Sequence, residues 1–222
     1  MNVLIACECS GTVRNAFRAL GHEAWSCDLL PSEDMTYHIE GDCLKAIAAG
    51  RPTDGQPWDL LIAHPPCIYL TVTANKWLKD QPPRKSGALV GAERRAAQQD
   101  AAKFFMAIAE SNVPRIAIEN PVGYMSTYWR KPDQIIQPFQ FGHPEPKKTC
   151  LWLKNLPKLV PTKIVEPEYS VTRSGKRIPT WYHSPSPSPD RQKKRSVTFQ
   201  GIAGAMADQW GNAAKTIQGE LL

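Results

Sequence analysis

Residues 59–71 read DLLIAHPPCIYLT, an apolar run, Leu60–Ala63, that ends on His64, two prolines and Cys67. Continuous apolar residues bounded by breakers mark a buried strand. Two prolines at its end fix the backbone and remove amide donors, so the chain must leave the sheet in a stiff, defined direction. A cysteine held at that exit stands at the mouth of a site rather than in the core. Taken alone, the same tripeptide also fits a cysteine that fills apolar space ahead of Ile68, Tyr69 and Leu70.

The neighbouring segments build a frame around this strand. NVLIA (2–6) reads as a first strand, SGTVRNAFRALG (10–21) as a helix stopping at Gly21, and HEAWSCDLL (22–30) as a second strand ending near Asp28. GAERRAAQQDAAKFFMAIAESN (91–112) is the clearest helix, and PRIAIEN (114–120) a further buried strand. Strand–helix–strand alternation implies parallel pairing and an α/β sandwich. Later, DQIIQPFQF (133–141) and TCLWLKNL (149–156) read as two strands around GHPEPKK, and GIAGAMADQWGNAAKTIQ (201–218) returns to helix. Three parts follow: a main domain over 1–154, a basic Pro/Ser-rich recognition or loop region over 155–197, in which YHSPSPSPDRQKKRS (182–196) is expected as an exposed loop, and a helix over 198–222 that rejoins the main domain.

A chain of 222 residues can bury a core without staples, and 42% hydrophobic with 22% charged residues is a globular balance. The net charge of +6 suits a polyanionic partner. Six cysteines without a CxxC pair do not read as a zinc site. No run approaches a membrane span and no leader pattern opens the chain, so a soluble protein of a reducing, cytoplasmic compartment is expected.

In open α/β sheets, ligands bind at the carboxyl ends of the strands. Those ends carry ACECSGT with Glu8 and Gly11, then Asp28, EGDCL with Asp42, HPPC, and ENP. Several carboxylates beside one glycine turn suit a nucleoside, whose ribose diol and exocyclic amine both donate hydrogen bonds. No GxxxxGK[ST] loop for a triphosphate is present. Each acid taken singly reads as a helix cap or a solvated turn.

The order of these segments resembles that of DNA (cytosine-5)-methyltransferases, from Val3 to about Ala214. HPPCIYL resembles the family's Pro-Pro-Cys nucleophile motif and IENP its Glu-Asn motif. FGHPEPKKTCLW resembles its Gly-x-Pro-Gln-x-Arg-x-Arg segment, and QWGNAA its terminal Gly-Asn motif. Amino-methylating DNA enzymes, with Asp/Asn/Ser-Pro-Pro-aromatic, resemble the chain less well. The resemblance implies a Rossmann-like S-adenosylmethionine-dependent methyltransferase fold, mostly parallel, with helices on both faces. It also implies methyl transfer from S-adenosyl-L-methionine to carbon 5 of cytosine in DNA. Cys67 would add to carbon 6 of a flipped base. Glu119 would face N3, its carboxyl raised by burial in the apolar RIAIEN run. Asn120 would orient the loop.

By the same resemblance, Glu8, Cys9, Ser10, Gly11, Asp28, Leu29, Asp42, Cys43, His64, Pro65 and Asn212 would hold the cofactor. Lys76, Lys79, Arg84 and Lys85, in TANKWLKDQPPRKSG (73–87), would lie near DNA phosphates in a loop that closes over the base. Arg191, Lys193 and Lys194 would add backbone contacts, with Trp181 and Tyr182 stacking on bases.

Three departures stand out. The first turn has one glycine, Gly11. Lys147 and Thr149 stand where the family has arginines, so Lys147 or Lys148 substitutes, or the pocket takes another base or cofactor. The region between Leu156 and Ser196 is short for target recognition, which suits a small phage or mobile-element enzyme acting on a short duplex site or a single strand. Two other readings stay open: a C5-modifying enzyme for a free pyrimidine nucleotide, and a methyltransferase-like DNA-binding module without activity.

Overall fold

The computed structural model describes residues 1–180 and 197–219, with 213–219 as helical backbone. Seven strands form one sheet: β1 (Asn2–Ala6), β2 (Glu23–Asp28), β3 (His38–Glu40), β4 (Leu60–Ala63), β5 (Ile116–Pro121), β6 (Gln134–Ile136) and β7 (Thr149–Lys154). Their spatial order is β3-β2-β1-β4-β5-β7-β6. β1 to β5 pair in parallel, and β7 runs antiparallel to both of its neighbours. The order reverses between β1 and β4, and ligands gather at such a switch point in open sheets. This is the Rossmann-like α/β fold with a mostly parallel sheet expected from the sequence.

Helices α1 (Thr12–Ala19), α2 (Cys43–Ala49), α3 (Gly91–Ala109), α4 (Met125–Tyr128) and α5 (Gln200–Gly219) accompany the sheet. Side chains alternate across each strand, so the central strands feed two cores. Val3, Ile5, Leu60 and Ile62 pack with Val13 and Phe17 of α1 and with Ile202, Met206 and Trp210 of α5. Leu4, Ala6, Leu61 and Ala63 pack on the other face with Ala46 of α2 and Ala102, Phe105 and Ile108 of α3. These strand residues have no solvent exposure. At about 1.5–3 kcal/mol for each large apolar side chain buried, they fix the strands whose ends form the site.

Within the basic stretch, Tyr169–Val171 (β8) and Arg177–Pro179 (β9) pair antiparallel around a turn at Gly175, whose φ is 77°; the segment read as an exposed loop, 182–196, lies outside the described residues. Three-residue strands are too short to display the alternation that marks a strand. Trp181, Tyr182, Arg191, Lys193 and Lys194 lie outside the described residues.

Candidate active site

β4 and β5 are adjacent and parallel, with Ala63 opposite Ile118. The residues that follow, His64 just past the end of β4 and Glu119 still within β5 and paired with Leu151 of β7, therefore stand side by side. His64 Nδ1 lies 2.8 Å from Glu119 Oε2, and Asn120 Nδ2 donates to the Pro65 carbonyl at 2.8 Å. The His64 amide donates to the Ala6 carbonyl at 3.0 Å, tying the same point to β1. Further on, Thr71 bridges to Gly123 and the Tyr124 amide donates to the Leu70 carbonyl at 2.7 Å. Cys67 sits exposed between these ties.

The other side of this segment is held by α3. Arg94 Nη2 donates to the Ile68 carbonyl at 2.8 Å and Gln98 Nε2 to the Tyr69 carbonyl at 3.0 Å. Both side chains are buried, which is unusual for their types and is explained by these bonds. Arg95, one position along, reaches the Leu78 carbonyl at 2.7 Å. Nothing in the local pattern of α3 marks these polar residues as inward-facing, and the sequence reading missed them.

His64 and Glu119 are mostly buried, with side-chain exposures of 11% and 16%. Burial works to raise the Glu119 carboxyl. The hydrogen bond and charge of His64 and the charge of Lys147 outweigh it, and the carboxyl stands below its ordinary range. Burial works to lower His64, but the hydrogen bond and charge of Glu119 and the charge of Glu8 hold it above its ordinary range against Lys147. The expected upward shift at Glu119 is therefore corrected: the hydrogen bond and charge of His64, with Lys147, outweigh its burial. His64, read as a cofactor residue, turns its Nδ1 to Glu119 and is not among the residues lining the cleft at the ends of β1 and β2.

Lys147, not the exposed Lys148, is the lysine whose charge reaches this pair. Thr149 is buried, and its hydroxyl donates to the Lys147 carbonyl at 3.4 Å. It therefore belongs to the wall rather than to a surface that meets a base.

Beside this pair, a cleft of about 340 Å³ opens at the ends of β1 and β2 and the start of α2. Cys7, Asp28, Leu29, Asp42, Cys43, Leu44, Pro66 and Phe104 line it. Asp28 accepts from the Leu30 amide at 2.9 Å, and burial pushes its carboxyl up against that lowering bond. Asp42 caps α2 by accepting from the Leu44 amide at 2.8 Å. Cys7, at φ 59°, brings its sulfur to 3.8 Å from that of Cys43. Two carboxylate acceptors set among apolar and sulfur surfaces fit the hydroxyls, amine and purine face of an adenosine. Pro66, the residue before Cys67, belongs to the lining.

Of the residues read as cofactor ligands, Asp28, Leu29, Asp42 and Cys43 come together here, while Cys9, Ser10, Gly11 and Pro65 stand outside the lining. Glu8 is a cap: buried, it accepts from the Val13 amide at 2.7 Å and the Arg14 amide at 3.2 Å at the start of α1. Gly11 takes φ 69° there, and a Cβ on it would lie 2.5 Å from the Arg14 guanidinium. Asn212 is exposed on α5 and donates to Asp208 Oδ1 at 3.0 Å, one turn back. Cys7, Leu44, Pro66 and Phe104 were not foreseen. Cys7 had a signal, since it directly follows β1.

The basic stretch after Cys67 opens with a 3₁₀ turn, Val72–Leu78. Arg84 and Lys76 ride on the Trp77 ring, at 3.8 and 4.7 Å from its centroid. Lys76, Lys79 and Lys85 are exposed. Among the described residues, no group of three or more His, Cys, Asp or Glu is arranged to hold a metal, and no helix is long and apolar enough to cross a membrane.

No family model matches the chain, and no curated protein matches it. Among solved structures, it is similar to a candidate DNA modification methyltransferase encoded within an E. coli prophage, at 14% identity and a TM-score of 0.46, covering 75% of this chain and 52% of that one. It is also similar to the Dnmt2 methyltransferase of S. pombe, at 17% identity and a TM-score of 0.40, covering 71% and 50%. The chain thus spans about half the length of these two structures.

Proposed function

We propose that the protein transfers a methyl group from S-adenosyl-L-methionine to carbon 5 of cytosine in DNA. One arrangement carries this reading: the segment bearing Cys67 and the strand end bearing Glu119 are joined by the His64–Glu119 and Asn120–Pro65 contacts, beside an adenosine-sized cleft.

Carbon 5 of cytosine is a poor nucleophile. Cys67, as thiolate, adds to carbon 6 and turns the ring into an enamine. Glu119 meets N3 and the exocyclic amine on the opposite edge, and a proton delivered there accepts the electron density that addition drives into the ring. Asn120 and Gly123 hold the cysteine segment at its distance from Glu119. Asp28 and Asp42 would accept hydrogen bonds from the nucleoside of the cofactor, with Leu29, Cys43 and Phe104 around it. The bound cofactor supplies an electrophilic methyl carbon. Lys76, Lys79, Arg84 and Lys85 would neutralise phosphates, and the affinity for DNA would then fall with salt.

Replacing Cys67 by serine tests the mechanism. Methyl transfer should be abolished while binding of S-adenosylhomocysteine is retained; a fully active Cys67→Ser protein overturns it. A second reading, modification of a free pyrimidine nucleotide, is favoured by the buried Thr149, which leaves no planar cation at that position. Labelled cofactor offered with DNA or with nucleotide monophosphates separates the two.

A further inference from the structure

We propose that His64 holds the proton that Glu119 lends to the base, so that the two side chains work as one acid. This rests on the reading of Glu119 as the group facing N3, and deepens it. A general acid must have a proton to give, and an ionised carboxylate only accepts hydrogen bonds. His64 Nδ1 at 2.8 Å and the charge of Lys147 both favour the ionised form of Glu119. The proton therefore sits on the imidazole, in direct contact with the oxygen that needs it.

The surroundings favour that arrangement. Glu8, after β1, and Glu119, within β5, both act on His64 as negative charges, while Lys147, ahead of β7, opposes them. Cys150 in β7 faces Glu119 as a neutral thiol, pushed up to about 11 by burial and by the Glu119 charge. His64 Nε2 is buried and has no hydrogen-bond partner among the described residues, so Nδ1 is the nitrogen through which the ring acts. A base seated over the pair displaces water and disfavours separated charges. The proton then passes from Nδ1 to the carboxyl group, an N–H bond breaking as an O–H bond forms. It moves on to N3 as the Cys67 sulfur bonds to carbon 6. Once carbon 5 has taken the methyl group, N3 returns the proton by the same route. The hydrogen of carbon 5 then passes to water as a proton while the carbon–sulfur bond breaks, which restores the aromatic ring and frees Cys67 as thiolate.

The test compares single-turnover methyl transfer across pH in the wild type and in His64→Gln, whose amide can bond to Glu119 but has no proton to give. The wild-type rate should fall as pH rises through the elevated His64 pKa. His64→Gln should be slower by about tenfold or more, up to the ~10²–10⁴-fold a positioned acid supplies, and should lose that limb with KM unchanged. A His64→Gln enzyme with the wild-type rate and profile overturns the proposal and leaves the cytosine reading standing. A wild type that methylates no cytosine sinks that reading, and the proton role with it. Ring-nitrogen NMR needs no turnover: His64 should titrate above about 6.5 and fall in Glu119→Gln. Identical titration in both proteins overturns the pairing.

Discussion

Asn120 donates from its side-chain nitrogen to the Pro65 carbonyl at 2.8 Å, so the end of β5 sets the path of the chain two residues before Cys67. Asn120 is buried, and its loss leaves that carbonyl unpaired. Asn120→Ala should cost about 1–3 kcal/mol of stability. It should lower kcat by about tenfold or more, as misplacement of a reacting group does. Affinity for S-adenosylhomocysteine should stay within about twofold, because Asn120 lies outside the cleft lining. Calorimetry and initial rates check both halves.

Gly123 provides the second tie. A Cβ there would stand 1.9 Å from the Leu70 carbonyl oxygen, which is backbone and cannot swing aside. Gly123→Ala must therefore push the segment after Cys67 away from β5. The expected result is a loss of kcat with retained cofactor binding, measured against Gly204→Ala, where a Cβ meets nothing within 4 Å.

Glu8 separates a cap from a ligand. Glu8→Ala strips two buried amides, Val13 and Arg14, of their acceptor. It should lower stability by about 1–3 kcal/mol, or several degrees in Tm. In the same comparison, Asp28→Ala should weaken S-adenosylhomocysteine more than it lowers Tm, since Asp28 lines the cleft. The reverse order would return Glu8 to the cofactor.

The His64–Glu119 pair gives stability a defined pH window. Glu119 is held below its ordinary value, so its contribution is complete above about 4.3 and lost as pH falls through the folded pKa. His64 is held above its ordinary value, so its contribution is complete below about 6.5 and lost as pH rises through the folded pKa. Wild type should therefore exceed Glu119→Gln in denaturant midpoint most clearly between about pH 4.3 and 6.5. A difference that stays flat from acid to alkaline pH would contradict the ion pair.

Local signals made much of this molecule readable. Leu60–Ala63 declares a buried strand, and HPPC and ENP declare where two strands end. Asp28 and Asp42 follow from asking which acids stand at such ends. What could not be read depends on pairing between distant segments. That His64 meets Glu119 needs β4 beside β5 in the register that sets Ala63 against Ile118. That Phe104, Arg94 and Gln98 face inward depends on how α3 lies across the sheet, and its alanine-rich sequence gives no sharp apolar face to fix that rotation. Glu8 had both readings in its sequence, cap and ligand; the amides of Val13 and Arg14 favour the cap.

The most direct test of the account is mass spectrometry of nucleosides from unmethylated DNA incubated with the protein and S-adenosylmethionine. A sulfur at position 67 that attacks the ring opposite Glu119 predicts 5-methylcytosine, present with wild type and missing with Cys67→Ser. A methyl group found instead on an exocyclic amine of cytosine or adenine would contradict it, because that chemistry needs no thiolate.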